Sequence, residues 1–392
     1  MRILYHHRTA SKDGQAVHIE EMIQSLRSQG HQVMVVAPGQ RDQAAGGSTS
    51  MGGQVAWVGR LRASLPKALY ELMELGYSLV AYRRLLSAAR QFKPDLIYER
   101  YNLFLLAGVM LKRKLRLPLF VEVNAPLAEE RQLHGGGLGL PALARWAEAM
   151  VWRGADRVLP VTHVLAGHVA AVGVPPERIV VIPNGINEAH FAAAASPDAA
   201  KKRLGLTGAL VLGFTGFVRD WHGMDLVIRW MASAAAPAHA RLLVVGAGPA
   251  QAALEQLALA LHLGDRVRFT GVIDRHAVPD HVAAFDIALQ PAVVAYASPL
   301  KLFEYLALGK AVVAPATPNI MEVLRDEENA VLFDPVQAGA FERALQRLAT
   351  DGVLRQRVGQ AARETIRQQG LTWDGNARRV VALAQSLPGY RA

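Results

Sequence analysis

Leu242-Leu243-Val244-Val245-Gly246-Ala247-Gly248-Pro249 is an apolar run that stops at a cluster of glycine and proline. A half-solvated strand alternates apolar with polar positions. This run is apolar throughout, as a parallel strand covered by helices on both faces must be. The same unit recurs along the chain. Candidate strands occupy 2–6, 33–37, 55–58, 95–98, 119–123, 157–161 and 179–182 in the first half. In the second half they occupy 210–215, 241–245, 266–270, 286–290, 311–314 and 330–333. Between them lie longer stretches with helical spacing, such as Ile19, Met22, Ile23 and Leu26. This alternation builds βαβ units and parallel sheets. The series pauses after Pro183-Asn184-Gly185, passes an alanine-rich stretch at 192–195, and restarts at 210. The expectation is an α/β chain of two Rossmann-like, doubly wound parallel-sheet domains, 1–187 and 188–371, with the helical stretch 372–392 packing back on the first. Ligands in such sheets sit beyond the carboxyl ends of the strands, so two domains facing across a cleft would each hold one.

Hydrophobic residues make up 51% of the 392, ample for two cores. The absence of cysteine excludes disulfides, thiolate metal sites and a cysteine nucleophile. Met1 leads straight into Arg2-Ile3-Leu4-Tyr5 with no leader pattern, and no window approaches 18 uninterrupted apolar residues, so a cytoplasmic protein is expected. The net charge of +10 is uneven: residues 1–187 carry 22 Lys and Arg against 14 Asp and Glu, and the remainder 21 against 19. A basic first half suits an anionic partner. No groove-reading motif or stacking aromatic run accompanies the charge, so nucleic acid is not expected. A phosphorylated acceptor or an acidic membrane face fits better, against the plain alternative of a solvated basic surface. Lys67 to Leu86 has helical spacing of Leu69, Leu72, Met73, Leu75 and Leu79, flanked by Lys67 and Arg83-Arg84; a second basic run is Lys112-Arg113-Lys114-Leu115-Arg116. Two readings stand: contact with anionic lipid, or a solvated basic face over a buried apolar stripe.

The chemistry concentrates in the second half. Its strands end in Gly216-Phe217-Val218-Arg219-Asp220-Trp221-His222-Gly223, in Gly246-Ala247-Gly248-Pro249, in Gly271-Val272 and in Pro291, residues that let backbone approach a ligand closely. Then comes Ser298-Pro299-Leu300-Lys301-Leu302-Phe303-Glu304-Tyr305. Ser298 reads as an N-cap and Pro299 as the first helical residue. The amides of Leu300, Lys301 and Leu302, backed by the helix dipole, would bind an anion, with Lys301 adding a cation. Glu304 lies about 5 Å further along the axis on nearly the same face. A carboxylate beside a diphosphate is repelled unless it grips hydroxyl donors, and a ribose supplies them. The helix therefore reads as a nucleoside-diphosphate clamp. The bland reading is a surface Lys–Glu pair, but Leu300, Leu302, Phe303, Leu306 and Leu308 make the helix too apolar to lie in water.

These residues resemble a known family. S-P-L-K-L-F-E-Y-L-A-L-G-K at 298–310, with W-H-G at 221–223, V-G-A-G-P at 245–249 and F-T-G-V at 269–272, is similar to glycosyltransferase family 4, retaining enzymes of the GT-B fold. D-G-Q-A-V-H at 13–18 and I-P-N-G-I at 182–186 agree, so the resemblance spans nearly the whole chain. It implies transfer of a sugar from a nucleotide-diphosphate donor, UDP or GDP, to a glycan or polyprenyl-linked acceptor of the cell envelope or an exopolysaccharide. It places the enzyme at the cytoplasmic face of the inner membrane. Carried over to this chain, Arg219, His222 and Lys301 would be the catalytic groups. Gly216, Phe217, Gly246, Val272, Ser298, Leu300, Leu302 and Glu304 would hold the donor, with Glu304 on the ribose and the Val272 backbone on the base. Gly14 and Gln15 would face the acceptor. Apart from the resemblance, Arg100 after the strand 95–98 and Asn124 after the next strand read either as lining an acceptor pocket or as ordinary βα-loop residues.

Three positions depart from the family pattern. Tyr296 stands where a carboxylate precedes Glu304 by eight residues, His222 stands in place of a lysine, and Asn124 follows β-run 119–123 where a His-Asp pair is usual. His222 would be a cation there only with a raised pKa. Glycosidic bond cleavage places negative charge on the β-phosphate, and fixed amides, Arg219 and Lys301 would stabilise it without a metal or other cofactor. No Asp-x-Asp and no His/Glu cluster at ligand spacing is present, and His6-His7 point to opposite faces of a strand. The alternatives are a nucleotide-sugar epimerase of the same fold, a non-catalytic nucleotide-sugar-binding protein, and a membrane-surface adaptor.

Overall fold

Five parallel strands form the first sheet: β1 Arg2–His6, β2 Gln32–Val36, β3 Leu96–Arg100, β4 Leu119–Val123 and β5 Arg157–Pro160, in the order β2-β1-β3-β4-β5. The structure is a computed structural model and describes residues 1–9, 14–38, 65–133 and 135–387. β3 and β4 are buried at every position, including the charged Glu99, Arg100 and Glu122 at their carboxyl ends. The expected strand at 55–58 lies outside the described residues. The expected strand at 179–182 is not one. Its Val180 and Ile182 amides donate to the Val158 and Pro160 carbonyls of β5, both at 3.0 Å, but only Val158 and Ile179 pair as a bridge. Pro160 has no N–H to return a bond, so the ladder ends there.

The second sheet has six parallel strands: β6 Leu210–Thr215, β7 Ala240–Val245, β8 Val267–Phe269, β9 Ile287–Leu289, β10 Ala311–Pro315 and β11 Val331–Phe333, in the order β11-β10-β9-β6-β7-β8. From β6 the chain winds outward to β8, returns to β9 on the other side of β6, and winds outward again to β11. The carboxyl ends of β6 and β9 are therefore the point where strand order reverses. Alternate residues of β6 feed two cores. Leu212 and Phe214 pack with Val227, Ile228 and Met231 of helix Met224–Ala232. Val211 packs with Leu302, Phe303 and Leu306 of helix Leu300–Ala307 on the opposite face.

The chain divides into Met1–Pro183 with the residues from Asn376 onward, and Asn184–Gly375. The division falls before 184 rather than after 187 for a local reason. Asn184 Nδ2 donates to the Ser298 carbonyl at 2.6 Å, and Ile186 bridges Thr372. Gly185 is required there, because a Cβ would sit 2.6 Å from the Thr372 carbonyl carbon. The buried Asn376, within helix Trp373–Gln385, donates to the Pro183 carbonyl at 2.7 Å and begins the return to the first unit.

Helix Lys67–Phe92 inverts the expected burial. Its inward face carries Glu71, Glu74 and Ser78 with Ala81, Leu85 and Ala89, while Leu69, Leu72, Met73, Leu79 and Val80 face outward. Of the two readings of this stretch, the buried apolar stripe is overturned. The inward acids are bonded: Glu71 accepts the Gly139 and Leu140 amides at 2.8 and 2.7 Å, and Glu74 accepts Arg131 at 2.5 Å. Ser78 Oγ donates to the Phe104 carbonyl at 2.8 Å. Among the described residues no helix is long and apolar enough to cross a membrane.

Candidate functional site

At the reversal point of the second unit, β6 ends in Thr215 and turns sharply at Gly216, whose φ is +114°. That conformation is glycine's, and a Cβ there would meet the Lys301 side chain at 3.5 Å. The β7 turn presses against the same place from the other side. A Cβ on Gly246 would lie 2.2 Å from the Gly216 oxygen, and one on Gly248 2.1 Å from the Val218 oxygen. Gly246 thus makes room for the neighbouring loop, where the sequence reading had it approaching a ligand. Val272 is 85% exposed beside Gly271, whose φ is +68°.

Helix Leu300–Ala307 starts one residue later than expected. Pro299 has ψ 119° and is the cap, with no side-chain cap bond. Ser298 is not an N-cap: its carbonyl and hydroxyl oxygens face Asn184, the hydroxyl accepting the Asn184 amide at 3.4 Å. The Leu302 amide donates to the Pro299 carbonyl at 3.1 Å, so the anion site of three amides expected from sequence reduces to those of Leu300 and Lys301.

Behind these amides sits a half-buried polar group. Lys301 Nζ lies 3.8 Å from the centroid of the Phe214 ring. Burial draws its pKa down to about 7, opposed by the Glu304 carboxylate. Thr215 Oγ1 donates to Glu304 Oε2 at 3.1 Å, and the Thr215 amide donates to the Tyr305 hydroxyl at 2.9 Å. Burial raises the Glu304 pKa, against the Thr215 bond and the charges of Lys301 and Arg275. Burial therefore disfavours the charged form of each group, each charge partly sustaining the other, and a phosphate beside Lys301 would favour its ammonium form.

His222 corrects the sequence reading. Burial, followed by Lys301 and Arg219, lowers its pKa to about 3, so it is neutral rather than a second cation. Its Nδ1 accepts the Arg219 amide at 3.2 Å, which leaves the ring hydrogen on Nε2 as a donor. The Arg219 guanidinium lies 4.7 Å from the Phe217 ring centroid and 4.8 Å from that of Trp221, held between two exposed aromatics. Lys310, at the end of the same motif, is structural: its buried Nζ donates to the Ala283 carbonyl at 2.6 Å.

The reversal point of the first unit lies at the carboxyl ends of β1 and β3. Buried Glu122 of β4 accepts Arg100 at 2.5 Å, Asn124 Nδ2 at 2.6 Å and the Tyr98 hydroxyl at 2.8 Å, and His18 Nε2 lies 2.8 Å away. Burial alone would raise its pKa; His18 and Arg100 outweigh that and hold the carboxyl far below its usual range. A second pair sets His6 Nδ1 2.6 Å from Glu99 Oε2. Arg100 and Asn124, read as acceptor contacts, thus meet at Glu122. Gly14 and Gln15 are exposed at the start of helix Gly14–Ser28, one turn before His18. Sequence reasoning missed Thr215, Tyr305, His18 and Glu122. The last was legible as a lone acid in an apolar strand. No group of three His, Asp or Glu able to hold a metal ion occurs among the described residues.

Comparison with known proteins fits both halves. The sequence profile of glycosyltransferase family 4 matches residues 12–190, and that of glycosyl transferases group 1 matches 198–365. The D-inositol 3-phosphate glycosyltransferase of Kineococcus radiotolerans is 30% identical over 317 residues, 72% of this chain and 69% of that protein. The chain belongs to glycosyltransferase family 4. The enzyme of the same name from Salinispora arenicola is 30% identical over 288 residues, and the match spans 69% of this chain but only 64% of that relative. Among solved structures, HepE of Anabaena in complex with UDP and glucose superposes with a TM-score of 0.72 at 19% identity, covering 99% of this chain and 100% of that one. Sucrose-phosphate synthase of Thermosynechococcus elongatus gives 0.76 at 18% identity, covering 98% of each. These likenesses show that each unit is half of a GT-B fold.

Proposed function

We propose that this family member transfers a sugar from a nucleoside-diphosphate sugar, with retention at the anomeric carbon, to a lipid-linked or polysaccharide acceptor in envelope or exopolysaccharide synthesis at the cytoplasmic face of the inner membrane. The observation that carries the reading is the Thr215–Glu304–Lys301 group beside the Gly216 turn, at the point where strand order reverses. The Leu300 and Lys301 amides and the Lys301 ammonium take the diphosphate, and Glu304 accepts the ribose hydroxyls. Arg219 and the Nε2 hydrogen of His222 add donors to the leaving phosphate. As the anomeric C–O bond breaks, negative charge grows on the β-phosphate where these groups converge. The acceptor oxygen bonds to the anomeric carbon, and its proton passes to the departing phosphate. HepE of Anabaena was solved with UDP and glucose, which supports UDP as the first donor base to try. The relatives' names include inositol 3-phosphate, and a phosphorylated acceptor would be compatible with the basic first half of this chain.

The test is a thermal-shift panel of UDP, GDP, ADP and their sugars. A ligand at a hundred times its dissociation constant stabilises by about 2.7 kcal/mol. Glu304→Ala should remove most of that response, and an unchanged shift rejects the ribose assignment. Charge stabilisation is assigned here to protein groups alone, so turnover should survive EDTA. A loss restored by added magnesium would overturn that assignment.

A further inference from the structure

Helix Lys67–Phe92 is amphipathic with the wrong side out. At 100° per residue, Leu69, Leu72, Met73, Gly76, Leu79, Val80, Arg83, Arg84 and Arg90 fall within one arc of about 140°. The five large apolar side chains among them are between 45 and 58% exposed. Three of the remaining residues are arginines, and the arc holds no acid. The helix's two acids, Glu71 and Glu74, are buried on the other side and held by the amides of residues 139 and 140 and by Arg131. The polar inner face is thus fully engaged, and no rotation of the helix could hide the outer stripe without stranding two carboxylates. Contiguous apolar surface of this kind marks an interaction site.

We propose that this outward face is a peripheral docking surface for an anionic lipid bilayer. The 26 residues are long enough to span a membrane, but six charges prevent it, so the stripe can only lie in the interfacial plane. The apolar side chains lie between residues 69 and 80 and the arginines follow between 83 and 90. Apolar insertion beside cations that meet lipid phosphates matches the chemistry of an acidic leaflet. The partner this names deepens the reading of a lipid-linked acceptor, and its biological sense rests on that reading. Its geometry involves none of the donor-site residues.

The experiment is co-sedimentation of the full chain with vesicles of phosphatidylcholine alone, or with about one third phosphatidylglycerol, at low and high salt. Binding to the acidic vesicles is expected, weakened by salt. Leu72→Gln with Leu79→Gln should reduce it at least tenfold. Each of Arg83→Gln and Arg84→Gln should reduce it about fivefold on acidic vesicles only. These positions are exposed, and circular dichroism together with an unchanged UDP thermal shift verifies folding. Equal binding by wild type and the Leu72/Leu79 variant overturns the proposal. So does failure to bind any vesicle, whether the chain is then a monomer or a dimer whose association the same variant abolishes. Vesicle binding with no nucleotide response would sustain this inference while sinking the donor-site reading.

Discussion

Thr215 is a small side chain with two duties. Its hydroxyl holds Glu304, and its amide is held by Tyr305, so strand and helix are fixed to each other at the site. Thr215→Val keeps the shape and the amide bond but removes the hydroxyl. Burial then acts on Glu304 with less opposition and its pKa rises further above the ordinary value. The donor KM should rise about tenfold, in line with one lost bond to a charged group, while kcat changes little if the ribose contact is uniform between ground and transition states. In the variant, KM should improve as pH rises through the shifted pKa, because the carboxylate form is the one that accepts ribose hydroxyls. A KM that is flat with pH and equal to wild type would show that Thr215 merely fills space. The sequence could show Glu304 but not this arrangement, since Thr215 and Glu304 are 89 residues apart and only the sheet brings them together.

At the scale of elements, the strand–loop edges were legible and the helix faces were not. Apolar runs locate parallel strands because burial on both faces favours apolar side chains at most positions, and β1, β4 and β6 coincide with their predicted spans. Helix Lys67–Phe92 misled because spacing records which residues share a face and not which face is inward; Glu71 and Glu74 decide that through partners 57 to 69 residues away. Glycines were likewise visible, but not their reason. Gly246→Ala forces a Cβ against the Gly216 oxygen in a backbone conformation with φ of +125°. It should destabilise the second unit by about 3 kcal/mol or more and weaken donor binding by displacing the Gly216 turn. Gly271→Ala, with φ of +68° and no atom within 4 Å, should cost only about 1 kcal/mol. Denaturant midpoints of the two variants test this, and equal losses would mean that the loop-to-loop contact carries no load.

Across the whole molecule, buried titratable groups make stability depend on pH in one dominant direction. Burial lowers His7 from 6.5 to about 4 and His222 from 6.5 to about 3, and Glu122 is held below its ordinary range. For each of these the unfolded chain binds more protons than the folded one between the two pKa values, so the stability they add is lost as pH falls through that window. Lys301, lowered from 10.5 to about 7, and Lys310, lowered from 10.5 to about 8, extend the same slope upward. Between about pH 7 and 10 the unfolded chain again holds the extra protons. Glu304 and Glu148, both raised by burial, oppose the trend above their ordinary values. The melting temperature of the free protein should therefore climb from pH 4 to pH 9. It should do so by several degrees, at roughly 2 to 4 °C per kcal/mol for units of this size. A diphosphate that restores the Lys301 charge in the folded state removes that group's share of the slope above pH 7. Stabilisation by UDP should accordingly be larger at pH 7 than at pH 9, with proton uptake on binding at pH 8 seen calorimetrically in buffers of different ionisation enthalpy. Lys301→Met should abolish that uptake. Uptake that persists in the variant would place the proton on another group and remove the lysine from the phosphate site.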